Sequence, residues 1–164
     1  MRLFCDVDGS LADCEPAVTR YLLSKPKNWD AFYGALGTFA PIPEVITVVD
    51  SLFTQGWQII FASGRRDAER LVTDTWLRKH THVTDFTLLM RPVGDYRPAV
   101  QLKRPWWQTA QPDLVIEDDP ETVAVMAKDG LIVLQVHGFR KISPEKRGQS
   151  SDMIPSLPQE TMEG

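Results

Sequence analysis

Five short apolar runs along the chain predict the strands of a β-sheet. They cover residues 3–7, 57–62, 86–90, 114–116 and 131–136. The first run is apolar at successive positions, so both of its faces are expected to be buried. That is typical of a strand inside a parallel sheet, which is covered by helices on each side.

Helical periodicity separates most of these runs. Apolar residues recur three and four positions apart over 43–55 and 67–80, and a third helix is predicted over 120–128. Pro120 and Gly130 are suitable residues for the start and end of that third helix. Strands alternating with helices predict an α/β fold with a three-layer, doubly wound parallel sheet. Ligand sites in such sheets gather beyond the carboxyl ends of the strands.

Two segments do not follow this alternation. Residues 15–41 contain two short helical patterns, 16–23 and 29–36, and are expected to form a small helical cap insert beside the first strand. Residues 141–164 are rich in Ser, Pro, Glu, Gln and Lys, and we expect a flexible tail there. The chain therefore predicts one domain over 1–140 followed by that tail.

Composition and charge narrow the classes of function. A length of 164 residues with 43% hydrophobic and 24% charged residues is ordinary for one globular domain. The net charge of −4 disfavours a protein that grips a long phosphate backbone, but a short or singly phosphorylated substrate stays open. The two cysteines, Cys5 and Cys14, are expected to be free thiols in a reducing compartment. Without an apolar run of membrane-spanning length or a signal peptide we expect a cytoplasmic protein with no membrane association, and no obligate protein partner is indicated.

A pair of carboxylates follows the first strand. Asp6 and Asp8 are two residues apart, so their side chains point the same way on an extended backbone, and Gly9 allows a sharp turn after them. Two adjacent carboxylates repel each other, and a hard cation such as Mg²⁺ relieves that repulsion. The alternative is an acidic turn without a ligand, which an Asp-Gly pair also favours.

Ser63 and Gly64 follow the second strand. A hydroxyl beside glycine at a strand-to-helix junction suits phosphate binding, and Arg65 or Arg66 adds a guanidinium fork. The alternative is a simple helix N-cap formed by Ser63 or Asp67.

The third and fourth strands are also followed by charged residues. The loop from Arg91 to Arg97 leads to Lys103, which would otherwise be interpreted as a solvated surface residue. Glu117, Asp118 and Asp119 end the fourth strand and could complete a metal site. Acids before a helix can also simply complement its dipole.

The order of acid pair, hydroxyl, lysine and acid cluster resembles the haloacid-dehalogenase-like (HAD) phosphatases, whose core is Rossmann-like. Over residues 2–138 the chain resembles, more narrowly, the phosphatase domain of phage polynucleotide kinases. The matching segments are 6–13, 28–32, 63–65, 76–77, 89–91, 94–98 and Lys103.

This resemblance implies a Mg²⁺-dependent phosphomonoesterase. Asp6 would be the nucleophile that forms an aspartyl-phosphate, and Asp8 the general acid and base. Ser63 and Lys103 would hold the phosphoryl oxygens. The metal would be bound by Asp6, the backbone carbonyl of Asp8 and Asp118. The residues expected to orient these groups from behind are Glu117 and Asp119.

The resemblance also implies a nucleotidic substrate. It indicates a 3′-phosphate on a nucleic-acid end or a nucleoside 3′-phosphate, and a 5′-nucleotidase acting on free nucleoside monophosphates is the alternative enzyme. An inactive HAD-fold binding module is the alternative of another class. The candidate substrate contacts are Ser10, Gly64, Arg65, Arg91 and Arg97. The candidate stacking platforms for a base are Trp29, Phe32 and Tyr96.

Three positions depart from the family pattern. Ser10 stands where the family usually has threonine, and Glu117 stands where aspartate is more common. Cys14 begins a segment that is expected to be more basic in the family, so part of the substrate-binding surface is left undefined.

Overall fold

A parallel five-stranded sheet forms the centre of the computed structural model, which describes residues 1–23 and 25–137. Its strand order is β5-β4-β1-β6-β7, and every neighbouring pair runs parallel. Two further short strands, β2 and β3, pair antiparallel outside it. The strands are β1 (Arg2–Asp6), β2 (Ala12–Asp13), β3 (Ala40–Pro41), β4 (Gln58–Arg66), β5 (Phe86–Arg91), β6 (Leu114–Glu117) and β7 (Val133–Gln135).

Helices cover both faces of this sheet. The α-helices are α1 (Glu15–Ala17), α2 (Trp29–Gly34), α3 (Pro43–Thr54), α4 (Arg70–His80), α5 (Ala99–Ala110) and α6 (Pro120–Lys128). A π-helical turn covers Val18–Leu22, and two 3₁₀ turns cover Leu36–Thr38 and Asp67–Glu69. The predicted three-layer α/β fold is confirmed.

The pleat of β1 explains the two-sided core. Leu3 and Cys5 pack into one apolar cluster with residues of α3 and α4, whereas Phe4 packs into the other with Trp107 and Met126. Leu3, Phe4 and Cys5 are fully buried, as the successive apolar positions predicted. Central β1 therefore carries its terminal residue, Asp6, into the interior of the molecule.

The predicted strands and helices are present, with two differences that concern the site. Strand β4 continues to Arg66, four residues beyond the predicted end, and its ladder with β5 shifts register between Ser63 and Arg66. Helix α5 was not predicted. Its apolar pattern is interrupted by Pro105 within the helix and by Lys103, which lies on the buried side.

The segment between β2 and β3 contains α1, α2 and the turns over Val18–Leu22 and Leu36–Thr38, and its role as a cap stays a prediction. Pairing of Ala12 with Pro41 and of Asp13 with Ala40 brings the two ends of the segment together. Asn28 caps α2 by accepting a hydrogen bond from the Ala31 N–H. The predicted tail, 141–164, lies outside the described residues.

Two further features of the described chain bear on the expectations. Cys5 and Cys14 are both free, as predicted, and both are buried. None of the helices within residues 1–23 and 25–137 has the length and apolar character needed to cross a membrane.

Candidate active site

The carboxyl ends of β1, β4 and β6 meet the buried side of α5. Asp6 ends β1, Glu117 ends β6, Ser63 lies within the last part of β4, and Lys103 reaches in from α5. All four residues are almost completely buried. Side chains from four separate parts of the sequence are therefore brought together in the interior at this edge of the sheet.

Lys103 is bound between two carboxylates. Its Nζ donates to Asp6 Oδ1 at 2.5 Å and to Glu117 Oε2 at 2.7 Å. Burial alone would lower the pKa of Lys103, but the two carboxylates raise it above its ordinary value, so the ammonium remains charged. Burial raises the pKa of Asp6, and Lys103 opposes that change. The sequence-based alternative of a solvated surface lysine is wrong.

Asp6, Glu117 and Asp118 form an acidic cluster that suits a hard cation. One carboxylate oxygen from each lies within 4.8 Å of the others. Asp6 Oδ2 is buried and has no hydrogen-bond partner among the described residues. Burial, followed by the charge of Glu117, raises the pKa of Asp118 to about 7. The unpartnered oxygen of Asp6, close to the Asp118 carboxylate, fits a Mg²⁺ ion. Glu117 uses Oε2 for Lys103 and Oε1 for the Asp119 N–H, so Asp6 and Asp118 are the better-placed ligands.

Gly9 permits the close approach of Asp118 to the loop after β1. Its φ of 96° lies in the left-handed region, and a Cβ at this position would lie 2.3 Å from Asp118 Oδ2. Any side chain here would both strain the backbone and displace the carboxylate. The glycine is therefore required by the space that Asp118 occupies.

Asp8 is held by Arg65 rather than left free. Arg65 Nε donates to Asp8 Oδ2 at 2.8 Å, Nη2 donates to Asp8 Oδ1 at 2.6 Å, and Nη1 donates to Thr73 Oγ1 at 3.1 Å. Arg65 is 2% exposed. Every guanidinium nitrogen of Arg65 thus has a protein acceptor in a buried position, and the substrate contact by Arg65 stays a prediction.

The two serines of the site are both fully buried. Ser63 Oγ accepts from the Arg65 N–H at 3.1 Å, and Ser10 Oγ has no partner within the described part of the chain. The alternative of an N-cap at Ser63 is wrong, because β4 runs past it and the following 3₁₀ turn starts only at Asp67.

Arg91 and Arg97 hold the loop after β5. Arg91 Nε donates to the Gly64 carbonyl at 3.0 Å, and its Nη1 donates to the Arg97 carbonyl at 2.7 Å. Arg97 Nη2 donates to Asp95 Oδ2 at 2.6 Å. Gly64 is thus the residue to which the loop is attached, and the substrate contacts by Arg91 and Arg97 stay predictions.

Asp119 caps helix α6. Its Oδ2 accepts from Thr122 N at 3.0 Å and from Thr122 Oγ1 at 2.8 Å. This carboxylate oxygen therefore serves the helix N-terminus, as the alternative interpretation of the acidic run indicated. Of the two acids expected behind the metal, Glu117 accepts from Lys103, and the Asp119 N–H donates to Glu117 Oε1 at 3.3 Å.

A cleft lies beside the buried site, and the sequence analysis did not predict it. It has a volume of about 510 Å³ and lies between the cap helix α2 and the loop after β5. Trp29, Tyr33 and Tyr96 contribute aromatic rings to it. Phe32, in contrast, is buried in the apolar core and is no platform for a base. The four-residue spacing of Trp29 and Tyr33 on α2 was the signal that could have identified this cleft.

Other residues missed by the sequence analysis support the site from behind. Thr73 accepts from Arg65, and Gln135 Nε2 donates to the Asp118 carbonyl at 3.2 Å. Cys14 is buried, and its thiol pKa is raised by burial and by the nearby charge of Asp8. Neither Thr73 nor Gln135 has a local sequence signal, because each acts through a neighbour that is distant in sequence.

Comparison with known proteins gives one family match and several similar solved structures. A family model described as the polynucleotide kinase PNKP phosphatase domain matches residues 2–138. No curated protein matches the chain. A chain of a Pnkp1/Rnl/Hen1 complex is 25% identical, with a TM-score of 0.64 over 82% of this chain. A second such chain, from a Pnkp1/Rnl/Hen1 RNA repair complex, is 24% identical over 82% of this chain, with a TM-score of 0.66.

The matched region is only part of these two chains from the Pnkp1/Rnl/Hen1 complexes. This chain covers 45% of the first and 42% of the second. A class C acid phosphatase from Bacillus anthracis, with tungstate bound, shares the fold at 14% identity, with a TM-score of 0.60, over 96% of this chain and 80% of its own.

Proposed function

Because the chain belongs to the polynucleotide kinase phosphatase-domain family of HAD hydrolases, and is thus a phosphoric monoester hydrolase, we propose that it removes 3′-phosphates from nucleotides. The proposed substrate is a 3′-phosphate on a nucleic-acid end or on a nucleoside, and the proposed metal is Mg²⁺. One observation carries the mechanism. Asp6 has one oxygen bound by Lys103 and the other without a protein partner in the described residues.

The first half-reaction is transfer of the phosphoryl group to Asp6. The unpartnered oxygen of Asp6 forms a bond to phosphorus while the bond from phosphorus to the ester oxygen breaks. Lys103 stays charged and lies against Asp6, so it stabilises the carboxylate before attack and the phosphoryl oxygens during transfer. The Ser10 and Ser63 hydroxyls are the further donors proposed for those oxygens.

Asp8 is the proposed proton donor to the departing alcohol oxygen. The two hydrogen bonds from Arg65 fix the direction of its carboxyl group, which is about one-fifth exposed at the mouth of the site. In the second half-reaction Asp8 takes a proton from the water that hydrolyses the aspartyl-phosphate, which restores Asp6 and releases phosphate.

The metal site fits this scheme. Asp6, Asp118 and the backbone carbonyl of Asp8 are the proposed ligands for Mg²⁺. When bound, Mg²⁺ supplies positive charge that lowers the repulsion between the Asp6 carboxylate and the anionic phosphate. Glu117 then keeps Lys103 in place beside Asp6.

A nucleotidic substrate is supported by family membership and by the likeness to Pnkp1, whose chain in one structure is part of an RNA repair complex. The open cleft beside Gly64 gives such a substrate room beyond its phosphate.

The test measures phosphate release in the presence of Mg²⁺. A 3′-phosphorylated oligonucleotide is compared with nucleoside 3′- and 5′-monophosphates. We expect turnover of the 3′-phosphates and a loss of more than about 1,000-fold in Asp6→Asn, which removes the nucleophile. Asp85→Asn is the matched control, because Asp85 is exposed at the opposite end of the sheet.

Preference for 5′-monophosphates would replace the proposed substrate with that of a 5′-nucleotidase. Absence of turnover with every substrate, including p-nitrophenyl phosphate, would contradict the mechanism and favour a binding module.

A further inference from the structure

The cleft between α2 and the loop after β5 has the composition of a site for a flat, negatively charged ligand. Trp29 is 47% exposed and Tyr96 is 94% exposed, which is unusual for such large rings. The Trp29 and Tyr33 rings are stacked at 27° with their centroids 5.9 Å apart. A volume of about 510 Å³ is within the range that holds a small organic ligand.

Positive charge surrounds these rings although the whole chain carries a net charge of −4. Arg66, Arg91 and Arg97 line the cleft, and the two carboxylates that pair with them are Glu69 and Asp95. Three guanidinium groups against two carboxylates leave one excess positive charge. An anionic ligand is therefore favoured in this part of the surface.

Arg66 is held in position to contact such a ligand. Its guanidinium carbon lies 3.7 Å from the centroid of the Tyr33 ring, and its Nη2 donates to Glu69 Oε1 at 2.5 Å. Its Nε is buried, and no acceptor for it lies within residues 1–23 and 25–137. The Arg66 side chain as a whole is 39% exposed, so its guanidinium is accessible to a ligand in the cleft.

The cleft is joined to the proposed phosphate site by a short piece of β4. Gly64 lines the cleft, and the buried Ser63 directly precedes it. Arg91 Nε donates a hydrogen bond to the Gly64 carbonyl. This bond attaches the loop that carries Tyr96 to the strand that carries Ser63. A substrate whose phosphate lies at Ser63 would extend past Gly64 into the cleft.

We propose that this cleft binds the nucleobase of the nucleotide that carries the scissile phosphate. The proposal rests on the proposed function for the identity of the phosphate, and on the aromatic and cationic lining for the base. Trp29 and Tyr96 are the stacking residues, and Arg66 is the hydrogen-bond donor. Such stacking selects for a base over a sugar alone, but discriminates little between bases because every base has a π-face.

The test separates binding from hydrolysis. Isothermal titration calorimetry on Asp6→Asn, with Mg²⁺ present, compares a nucleoside 3′-monophosphate with the 3′-phosphate of 1,2-dideoxyribose, which lacks the base. A stacked base contributes about 1–3 kcal/mol, so removing it is expected to weaken binding roughly 5- to 150-fold. A trinucleotide with a 3′-phosphate shows whether a strand end or a free nucleotide is preferred.

Substitutions then locate the effect. In the Asp6→Asn background, Trp29→Ala and Tyr96→Ala are each expected to reduce the affinity ratio between the nucleotide and the base-free phosphate, whereas Trp29→Phe retains it. Leu71→Ala is the control, since Leu71 is 80% exposed and lies outside the cleft. A ratio below twofold in the parent, or a ratio unchanged in both alanine variants, overturns the proposal.

The outcomes for the cleft and for the proposed function are distinguishable. Base-dependent binding without hydrolysis by the wild-type protein supports the cleft and contradicts the phosphatase mechanism. Hydrolysis without base dependence keeps the mechanism and overturns the cleft. Base-dependent binding that favours 5′-monophosphates supports the cleft and contradicts the 3′ assignment.

Discussion

The buried carboxylate–lysine site and the open aromatic cleft lie side by side but differ in how far their side chains are exposed and how tightly they are paired. Asp6, Lys103 and Glu117 are at most 4% exposed and bind one another, whereas Tyr96 in the cleft is 94% exposed. In the buried site, each charge needs its partner because water cannot replace it. In the cleft, Trp29 and Tyr96 are largely solvated and can change at little cost to the fold. The proposed catalytic residues are thus tied to folding, whereas these two proposed recognition residues are largely independent of it.

Lys103→Met is expected to have the largest effect on both stability and activity. It leaves Asp6 and Glu117 buried without their cation, and we expect a loss of about 3–5 kcal/mol in the free energy of unfolding. Activity should fall by more than about 1,000-fold. Urea denaturation and phosphate release measure the two effects. An unchanged denaturation midpoint would show that the buried network does not couple chemistry to stability.

Gly9→Ala tests whether stability and Mg²⁺ binding both depend on the space that Asp118 occupies. The added Cβ meets Asp118 Oδ2, and the left-handed φ is unfavourable for alanine, so we expect a loss of about 1–3 kcal/mol in stability together with weaker Mg²⁺ binding. Calorimetric titration with Mg²⁺ and thermal unfolding are the measurements. Gly34→Ala is the control, because a Cβ there would meet nothing within 4 Å. Equal Mg²⁺ affinity in the two variants would contradict the proposed role of Asp118.

Removal of Mg²⁺ tests the same cluster without a mutation. In the metal-free protein the pKa of Asp118 is raised to about 7, so its ionisation destabilises the fold as pH rises from about 4 towards 7. Bound Mg²⁺ requires the ionised form, and we therefore expect the increase in Tm on adding Mg²⁺ to be larger at pH 8 than at pH 6. Asp118→Asn should remove most of that increase. An increase independent of both pH and Asp118 would place the metal elsewhere.

The smallest effect is expected from Arg97→Ala in the loop beside the cleft. The side chain is 53% exposed, and its ion pair with Asp95 is screened by solvent and salt. We expect Tm to change by no more than about 2 °C. A change comparable to that of Lys103→Met would remove the distinction between the two regions.

The parts of the site that follow from strand ends were predictable. Asp6, Ser63 and Glu117 each end or interrupt an apolar run, and parallel strands bring such ends to one edge of the sheet. Helix α5 was not predicted because Pro105 and Lys103 interrupt its apolar pattern. Burial of Lys103 on its apolar side is understandable only once Asp6 and Glu117 are known to face it.

The direction in which a side chain points was harder to predict from the sequence. The contacts of the buried Arg65 side chain with Asp8 and Thr73 were not predicted, because β4 continues past Ser63. Similarly, Phe32 and Trp29 are three residues apart on one short helix, yet Phe32 joins the core and Trp29 is half-exposed. Such differences depend on packing between distant segments, which local sequence does not encode.

The two-residue strands β2 and β3 have a consequence for the evolution of this fold. They place Asp13 beside Ala40, so the segment between them leaves and re-enters the core at one point. Lengthening such a closed segment costs little, because loop entropy grows only with the logarithm of its length. The insert can therefore be exchanged or extended while β1 keeps its register. Under the proposed function, a change in this segment would alter the contacts to the substrate and leave Asp6, Lys103 and Glu117 in place.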